Sequence, residues 1–303
     1  MINSLNEQEI TYESMLKIIT DISKDNPKFM LTTIGKSLMG RDIPAIKVGE
    51  GIHKVLYVGT HHSCERITTS LLLKFMYELN IFFKNESKEY SIDSKYILRS
   101  RCLYFVPMLN PDGVELAVNG LTPDNVIASR LEQICPDKDF SKWQANGRGV
   151  DLNHNYDAGF SEYREYAESI GISSPGKTKY PGVEPLSEPE TKSLVSFIRA
   201  LEPFDAVYSF HTQGEEIYAS YNGKYPMGGM EIGKALERLC GYKLTEPGEK
   251  SASFSGLKDW YIKEFNSPAF TIECGRGTNP LPPNDLNDIY LKLRKMLFTT
   301  LIL

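Results

Sequence analysis

His62 and Glu65 stand three residues apart and could bind one metal ion together. A histidine nitrogen and a carboxylate oxygen are both good zinc ligands, and residues at this spacing project from one side of a helical turn. His61 stands four residues from Glu65 and could share that side. Because a catalytic zinc ion takes three protein ligands and keeps one position for water, a third ligand must come from elsewhere in the chain.

His211 and Glu273 occupy the same kind of position as the first pair, at or just after the end of a predicted strand. The three strands concerned lie at 54–59, 206–210 and 269–272. In open α/β sheets the carboxyl ends of the strands form the edge where ligands bind. A carboxylate at the end of a buried strand is costly unless it is paired or functional. We therefore expect His211 as the third ligand and Glu273 as the general base of a zinc hydrolase.

Strands alternate with helices along the chain, and this alternation predicts an α/β fold. The predicted strands lie at 29–34, 43–48, 54–59, 102–108, 206–210 and 269–272, and the predicted helices at 7–24, 66–84, 187–201, 229–240, 255–265 and near the carboxyl terminus. The first two strands form a hairpin, so we expect a twisted sheet with both parallel and antiparallel pairs, flanked by helices. Because the candidate site residues run from 62 to 273, a single domain must contain all of them.

Three segments have sequence patterns that predict local structure. Asn110-Pro-Asp-Gly113 has the composition of a turn. Ser187 and Glu190 have the spacing of a capping box, which predicts a helix that begins directly after Ser187. Residues 119–185 are rich in Gly, Pro, Asn and Asp, and we expect them to form a long functional loop region without regular structure.

Composition excludes several classes of partner. With 34 basic and 39 acidic side chains, the net charge is -5, so no basic field favours nucleic acid or an anionic membrane. The first ten residues do not resemble a secretory signal, and no apolar run approaches the roughly 20 residues needed to cross a bilayer. The five cysteines are scattered, which favours free thiols over disulfides. These features predict a cytoplasmic protein.

Five blocks of the sequence together resemble the zinc carboxypeptidase (carboxypeptidase A-like) family. They are Gly59-x-x-His62-x-x-Glu65, Asn110-Pro-Asp-Gly113, Gly149-Val-Asp-Leu-Asn153, His211 and Phe270-Thr-Ile-Glu273, in the family's order. Within the family, the amino-acid sequence of residues 106–116, 143–155 and 272–282 is most similar to that of bacterial γ-D-glutamyl-L-diamino acid endopeptidases. The resemblance extends over nearly the whole chain.

The resemblance implies a role for each candidate residue. It implies His62, rather than His61, as a ligand of one Zn²⁺ ion per chain, with Glu65 and His211 completing the set. It implies Glu273 as the acid/base that takes a proton from the attacking water and passes it to the leaving amine. The tetrahedral oxyanion also needs a cationic or hydrogen-bonding partner. We expect that catalytic role for Arg148, which directly precedes the Gly-Val-Asp-Leu-Asn block.

One departure from the family pattern concerns the substrate. Carboxypeptidases of this family carry an arginine directly after the asparagine of that block, where both residues hold the terminal carboxylate of the substrate. Here that position is His154. Since imidazole cannot reproduce the two-pronged carboxylate binding of a guanidinium group, the substitution argues against a plain exopeptidase.

An isopeptide such as L-Ala-γ-D-Glu-diaminopimelate carries free carboxylates beside the cleaved bond, and these need cationic or amide partners. Asn153, His154, Lys258 and Arg276 are the candidate substrate-binding residues. We therefore predict a zinc metallopeptidase that hydrolyses γ-D-glutamyl–L-diamino acid bonds in muropeptide-like, cell-wall-derived peptides.

Three other functions remain open. They are a metallocarboxypeptidase with altered specificity, a zinc deacylase, and a non-catalytic muropeptide-binding protein on the same scaffold. The deacylase would not need the loop region 119–185, and a non-catalytic relative usually lacks a ligand or the base. We expect residues 1–303 to be one catalytic domain with no separate cell-wall-binding module. Recycled or spore-associated peptides are then the expected substrates.

Overall fold

Strands and helices alternate in the computed structural model, which describes residues 5–122, 127–201, 203–247 and 254–303. The elements are α1 (Tyr12–Asp25), β1 (Phe29–Lys36), β2 (Asp42–Val48), β3 (His53–Val58), α2 (Ile67–Lys84), β4 (Lys88–Glu89), β5 (Ile92–Asp93), α3 (Ser94–Ser100), β6 (Arg101–Val106), α4 (Pro111–Asn119), α5 (Ala128–Ile134), α6 (Phe160–Ser169), α7 (Pro189–Leu201), β7 (Ala206–His211), β8 (Glu216–Tyr218), α8 (Gly229–Cys240), β9 (Lys243–Leu244), α9 (Leu257–Phe265), β10 (Ala269–Glu273) and α10 (Leu286–Thr299).

Eight of the strands form one mixed sheet in the order β1-β2-β6-β3-β7-β10-β8-β9. The predicted hairpin is the antiparallel pair β1 and β2, and β6 joins it in antiparallel orientation. The centre is parallel, since β3 pairs with both β6 and β7, and β7 pairs with β10. Strand β8 is antiparallel to β10. The prediction of a single α/β domain with a mixed sheet flanked by helices is confirmed.

The sheet is buried on both faces because the side chains of its central strands alternate between two hydrophobic clusters. Val55 and Tyr57 of β3 point into one cluster with apolar residues of α1, α2 and α10. Leu56 and Val58 point into the other, with residues of α7 and α9. This burial on both faces explains why the central strands are continuous apolar runs in the sequence.

Four aromatic rings lie side by side across the central strands. Phe105, Tyr57, Tyr208 and Phe270 occupy paired positions on β6, β3, β7 and β10. Neighbouring ring centroids are 4.8, 5.6 and 5.3 Å apart, with interplanar angles of 20° or less. We call this set the aromatic row.

The Asn110-Pro-Asp-Gly113 block begins a helix, so the prediction of a simple turn was wrong. The side chain of Asn110 caps α4 by accepting a hydrogen bond from the Gly113 N–H at 3.0 Å, and Pro111 occupies the first helical position. The amide group of Asn110 also donates to the carbonyl groups of His61 and Ala145. One side chain thus joins the segment that carries the candidate ligands to the segment before Gly149.

Two other local predictions need correction. The region 119–185 contains α5 and α6 and is therefore not without regular structure. Helix α7 begins at Pro189, later than the capping-box pattern predicted. The Ser187 hydroxyl donates to Glu188 and accepts from Asn155. Within the described residues, no helix has both the length and the apolar composition required to span a membrane.

Candidate active site

The side chains of His62, Glu65 and His211 converge at the carboxyl end of the parallel strands. His62 follows β3, Glu65 lies in a short 3-10 turn before α2, and His211 is the last residue of β7. One ligand atom from each lies within 4.8 Å of the other two. The Nδ1 atom of His62 is 2.9 Å from Glu65 Oε1, and the Nδ1 atom of His211 is 3.0 Å from Glu65 Oε2.

The orientation of the two imidazole rings fits a shared metal ion. His62 Nε2 is 3.0 Å from Asp151 Oδ1, and His211 Nε2 is 3.1 Å from Ser209 Oγ. With these outer nitrogens engaged, the two Nδ1 atoms face each other at 3.3 Å, beside the buried carboxylate of Glu65. Two imidazole nitrogens and a carboxylate are the ligands of many catalytic zinc sites, and a partner that fixes each ring is typical of them.

Electrostatics also favour a cation at this point. Burial opposes ionisation of Glu65, but the two histidines outweigh it and lower the pKa of Glu65 to about 2. Burial acts to lower the pKa of His62, yet the carboxylates of Glu65 and Asp151 raise it well above its ordinary value. The cluster therefore carries buried negative charge that binding of a divalent cation would neutralise.

His61 lies outside the ligand cluster. It is fully buried, and its Nε2 atom is 2.9 Å from the Tyr156 hydroxyl. Its Nδ1 atom is 3.4 Å from Ser209 Oγ, the same hydroxyl that contacts His211. The alternative that sequence spacing left open, a ligand role for His61, is therefore not supported by its position. The residue packs behind His211 instead.

Glu273 ends β10 and lies opposite His211 in the pairing of β10 with β7. Its side chain lines one cavity with His62 and His211. Burial raises the pKa of Glu273 well above its ordinary value, and the negative charge of Glu65 adds to the effect. A buried carboxyl group beside a candidate metal cluster is placed to accept a proton and to donate it again.

The cavity has a volume of about 80 Å³ and includes three of the four predicted substrate-binding residues. Its described lining consists of His62, Asn153, His154, His211, Tyr218, Phe254, Gly256, Lys258, Asp259, Thr271 and Glu273. Asn153 and His154 lie in a 3-10 turn that begins after Asp151, so the residue that orients His62 also fixes the start of the cavity wall. Lys258 lies near the start of α9 and is buried.

Arg148 and Arg276 are not among the described residues that line this cavity. Arg148 lines a separate cavity of about 230 Å³, and its Nη1 atom is 3.5 Å from Glu188 Oε1. Arg276 has a 77% exposed side chain, and its Nε atom is 2.8 Å from Glu215 Oε2. The structure therefore supports neither the oxyanion role expected for Arg148 nor substrate contact by Arg276, because neither side chain lies in the described lining of the cavity that contains His62 and His211.

Sequence reasoning did not single out several residues that the structure places at the site, among them Asp151, Tyr218 and Thr271. Asp151 lies within the Gly-Val-Asp-Leu-Asn block, and the available signal was a carboxylate in the same block as the candidate substrate-binding residue Asn153. Tyr218 lies on β8, and its hydroxyl donates to Glu216 at 2.6 Å. Thr271 lies on β10 and lines the cavity. For Tyr218 the sequence offered no signal, because a three-residue strand has no measurable periodicity.

A sequence profile of the family described as zinc carboxypeptidase matches residues 15–294. The chain belongs to the zinc carboxypeptidase family. Members of this family are zinc-dependent metallopeptidases, so the protein is a hydrolase. The resemblance inferred from the sequence is confirmed. Within the residues that the structure describes, His62, Glu65 and His211 form the cluster that could hold the family's metal ion.

Individual relatives agree with this family. The chain is similar to gamma-D-glutamyl-L-diamino acid endopeptidase 1 of Lysinibacillus sphaericus, with 32% identity over 285 residues that cover 94% of this chain and 70% of that protein. It is 26% identical to carboxypeptidase B of Rattus norvegicus over 280 residues, 86% of this chain and 62% of that protein. The crystal structure of carboxypeptidase A from Helicoverpa armigera has the same fold, with a TM-score of 0.75, 17% identity, and coverage of 97% of this chain and 73% of that one.

Proposed function

We propose that this metallopeptidase hydrolyses the amide bond between the γ-carboxyl group of D-glutamate and an L-diamino acid such as diaminopimelate, in cell-wall-derived peptides. The observation that carries the proposal is the position of His154 in the cavity wall, directly after Asn153, where the family's carboxypeptidases carry arginine. The 32% identity with a protein named as an endopeptidase for this bond supports it.

His62, Glu65 and His211 would hold the zinc ion in this proposal. When bound, zinc supplies a Lewis acid that polarises the amide carbonyl group and makes water acidic enough to attack at neutral pH. Glu273 accepts a proton from the attacking water and later donates it to the leaving amine of the diamino acid. Its raised pKa, caused first by burial, suits both halves of this transfer.

The contacts of Asn153 and His154 leave polar atoms for a substrate carboxylate. The Asn153 side chain uses its carbonyl oxygen to accept the Leu257 N–H at 3.1 Å, so its NH₂ group is the part of the amide that can donate to a substrate. The His154 ring stacks on Tyr163 with centroids 3.7 Å apart, and its Nδ1 atom is 3.2 Å from the Phe254 carbonyl oxygen. This orientation leaves Nε2 as the ring atom that meets the substrate.

Among the described residues that line this cavity, Lys258 is the lysine, and no arginine lines it. Its ammonium group contacts the Ser220 carbonyl oxygen and the Asp259 carboxylate, and its position is therefore fixed. A γ-D-glutamyl–diaminopimelate unit carries carboxylates on both sides of the cleaved bond. We assign Asn153, His154 and Lys258 to these carboxylates, because an ammonium group and two neutral donors favour anionic over apolar side chains.

Arg148 has a different role in this proposal. Glu188 is buried and also accepts hydrogen bonds from Asn146 and Ser187, and the Arg148 guanidinium group supplies a nearby positive charge. Arg148 therefore stabilises the loop that leads to Asp151 instead of binding the oxyanion. Arg276 is paired with Glu215 at the surface and is given no role in substrate binding.

Mass spectrometry of reaction products tests the proposed bond. The zinc-loaded protein is incubated with synthetic L-Ala-γ-D-Glu-meso-diaminopimelate, with the α-linked isomer as a matched substrate control. We expect release of diaminopimelate from the γ-linked peptide, loss of that release with a chelator, and little cleavage of the isomer. Equal or faster cleavage of the α-linked isomer would contradict the proposed linkage.

A metallocarboxypeptidase is the second candidate, because the Asn153 amide at the cavity wall suits a terminal carboxylate and the chain is 26% identical to carboxypeptidase B of the rat. A γ-linked peptide with an amidated carboxyl terminus separates the two. Cleavage at the γ-glutamyl bond of the blocked peptide supports an endopeptidase. Cleavage of the free peptide alone supports a carboxypeptidase that accepts γ-linked residues.

A further inference from the structure

The loop after β10 contains a Gly-Arg-Gly-Thr-Asn-Pro run, residues 275–280, whose asparagine has no part in the function proposed above. Asn279 Nδ2 lies 3.4 Å from Glu65 Oε1, and the same amide group donates to the Thr212 carbonyl oxygen at 2.9 Å. Asn279 Oδ1 accepts a hydrogen bond from the Thr212 hydroxyl at 2.7 Å. Because Thr212 binds both ends of the amide, the side chain can present only its NH₂ group to Glu65.

These contacts connect Asn279 to two of the three candidate ligands. Glu65 is contacted directly, and Thr212 directly follows His211 in the chain. Within the described residues, each ligand then has a side-chain hydrogen-bond partner outside the trio, namely Asp151 for His62, Ser209 for His211 and Asn279 for Glu65. Partners of this kind orient ligands, and their loss commonly costs about 10- to 100-fold in metal affinity or activity.

We infer that Asn279 is a positioning residue for the metal centre, which fixes the rotation of the Glu65 carboxylate and ties it to the segment that follows His211. A carboxylate that is free to rotate presents its oxygens to a metal ion in several orientations. The amide of Asn279 restricts the Glu65 carboxylate to the orientation in which one oxygen faces His62 and the other faces His211. The inference concerns zinc binding and is independent of which peptide bond the protein cleaves.

Zinc affinity of the Asn279→Ala protein tests this inference without any substrate. We measure the zinc dissociation constant by competition with a chromophoric chelator, for wild type, Asn279→Ala and the control Asn287→Ala. Asn287 is exposed on α10 and contacts only Lys74 in the hydrogen bonds of the described chain. The expected result is zinc binding about 10-fold weaker in Asn279→Ala, and unchanged in Asn287→Ala.

The melting temperature of the zinc-free proteins separates positioning from folding. We expect zinc-free Asn279→Ala to melt close to zinc-free wild type. We also expect its activity, relative to wild type, to be higher at saturating zinc than at limiting zinc. A zinc dissociation constant within twofold of wild type overturns the inference. Should Asn279→Ala not fold, Thr212→Val removes the hydroxyl that holds the amide, and an unchanged zinc affinity in that variant overturns the inference equally.

Discussion

His211 and Glu273 are direct partners in the parallel pairing of β7 and β10. The candidate ligand and the candidate acid/base are therefore held side by side by the backbone hydrogen bonds of two central strands, and not by a loop. On its other side, Glu273 pairs with Glu216 of the antiparallel strand β8. Placement on such rigid elements holds His211 and Glu273 at a fixed separation.

Replacing Glu273 by glutamine should abolish proton transfer while the metal site stays intact. Glutamine has nearly the same shape but cannot accept or donate the proton, so we expect kcat to fall by about 10³-fold. Zinc content should equal that of wild type, because Glu273 is not in the ligand cluster. Steady-state kinetics together with zinc stoichiometry check both parts, and retention of more than a tenth of wild-type kcat would contradict the role of Glu273.

Replacing Asp151 by asparagine should weaken zinc binding. The Asp151 carboxylate contacts His62 Nε2 at 3.0 Å and holds the ring with Nδ1 toward the cluster. Loss of its charge makes His62 a weaker ligand, and we expect the zinc dissociation constant to rise by about 10-fold. Asp157→Asn serves as control, because Asp157 is exposed and pairs with Lys263. Equal zinc affinity in both variants would remove Asp151 from the metal centre.

His154→Ala and Arg276→Ala should differ sharply, although the sequence suggested substrate contact for both. His154 lines the cavity, and loss of a hydrogen bond to a charged group costs about 1.5–3 kcal/mol, so kcat/KM on the γ-linked tripeptide should fall at least 10-fold. Arg276 is exposed and paired with Glu215, and its removal should change kcat/KM by less than threefold. A large loss in Arg276→Ala alone would show that the loop after β10 reaches the substrate.

Glu190→Gln should reduce the pH dependence of stability. Burial, with a smaller effect of Asp112, raises the pKa of Glu190 to about 7 in the folded protein, against 4.5 for an ordinary glutamate. The folded state therefore binds more protons than the unfolded state between these values. The contribution of Glu190 to stability is complete below about pH 4.5 and is lost as the pH rises through about 7, a change of about 3 kcal/mol.

Urea unfolding at pH 5 and pH 8 measures this effect. The free energy of unfolding of wild type should fall between the two pH values by more than that of Glu190→Gln, because glutamine has no proton to lose. Glu162→Gln on α6 is the matched control, since Glu162 is exposed and its replacement should leave the wild-type difference intact. An equal pH difference in wild type and Glu190→Gln would show that Glu190 titrates normally.

The parts of the fold and site that follow from local sequence could be predicted. Apolar runs gave the central strands, and His211 and Glu273 could be placed at their ends because the runs stop there. The hairpin and most long helices followed from periodicity. These features depend on residues that are close in sequence. They can be predicted because side chains buried on one or two faces produce a periodic pattern of apolar residues.

Features that depend on tertiary contacts could not be predicted. The sequence places Arg148 next to Gly149, but only the path of the loop decides that its guanidinium group meets Glu188 and not the metal cavity. Tyr218 reaches the cavity because β8 pairs with β10, and a three-residue strand gives no pattern. Helix α6 was missed because its many charged residues obscure the few buried positions, Phe160, Tyr163 and Ala167.

The aromatic row sets a limit on how this protein can change. Tyr208 and Phe270 stand three residues before His211 and Glu273 on the same two strands. Side chains three residues apart on a strand point to opposite faces of the sheet, so the aromatic row packs in the core on the face away from His211 and Glu273. A smaller side chain at either place would leave a cavity in that core and destabilise the two strands that carry these residues. Substitutions in the cavity wall at 153–154 and 254–259 therefore leave the aromatic row untouched, whereas a substitution in the row alters the support of both strands at once.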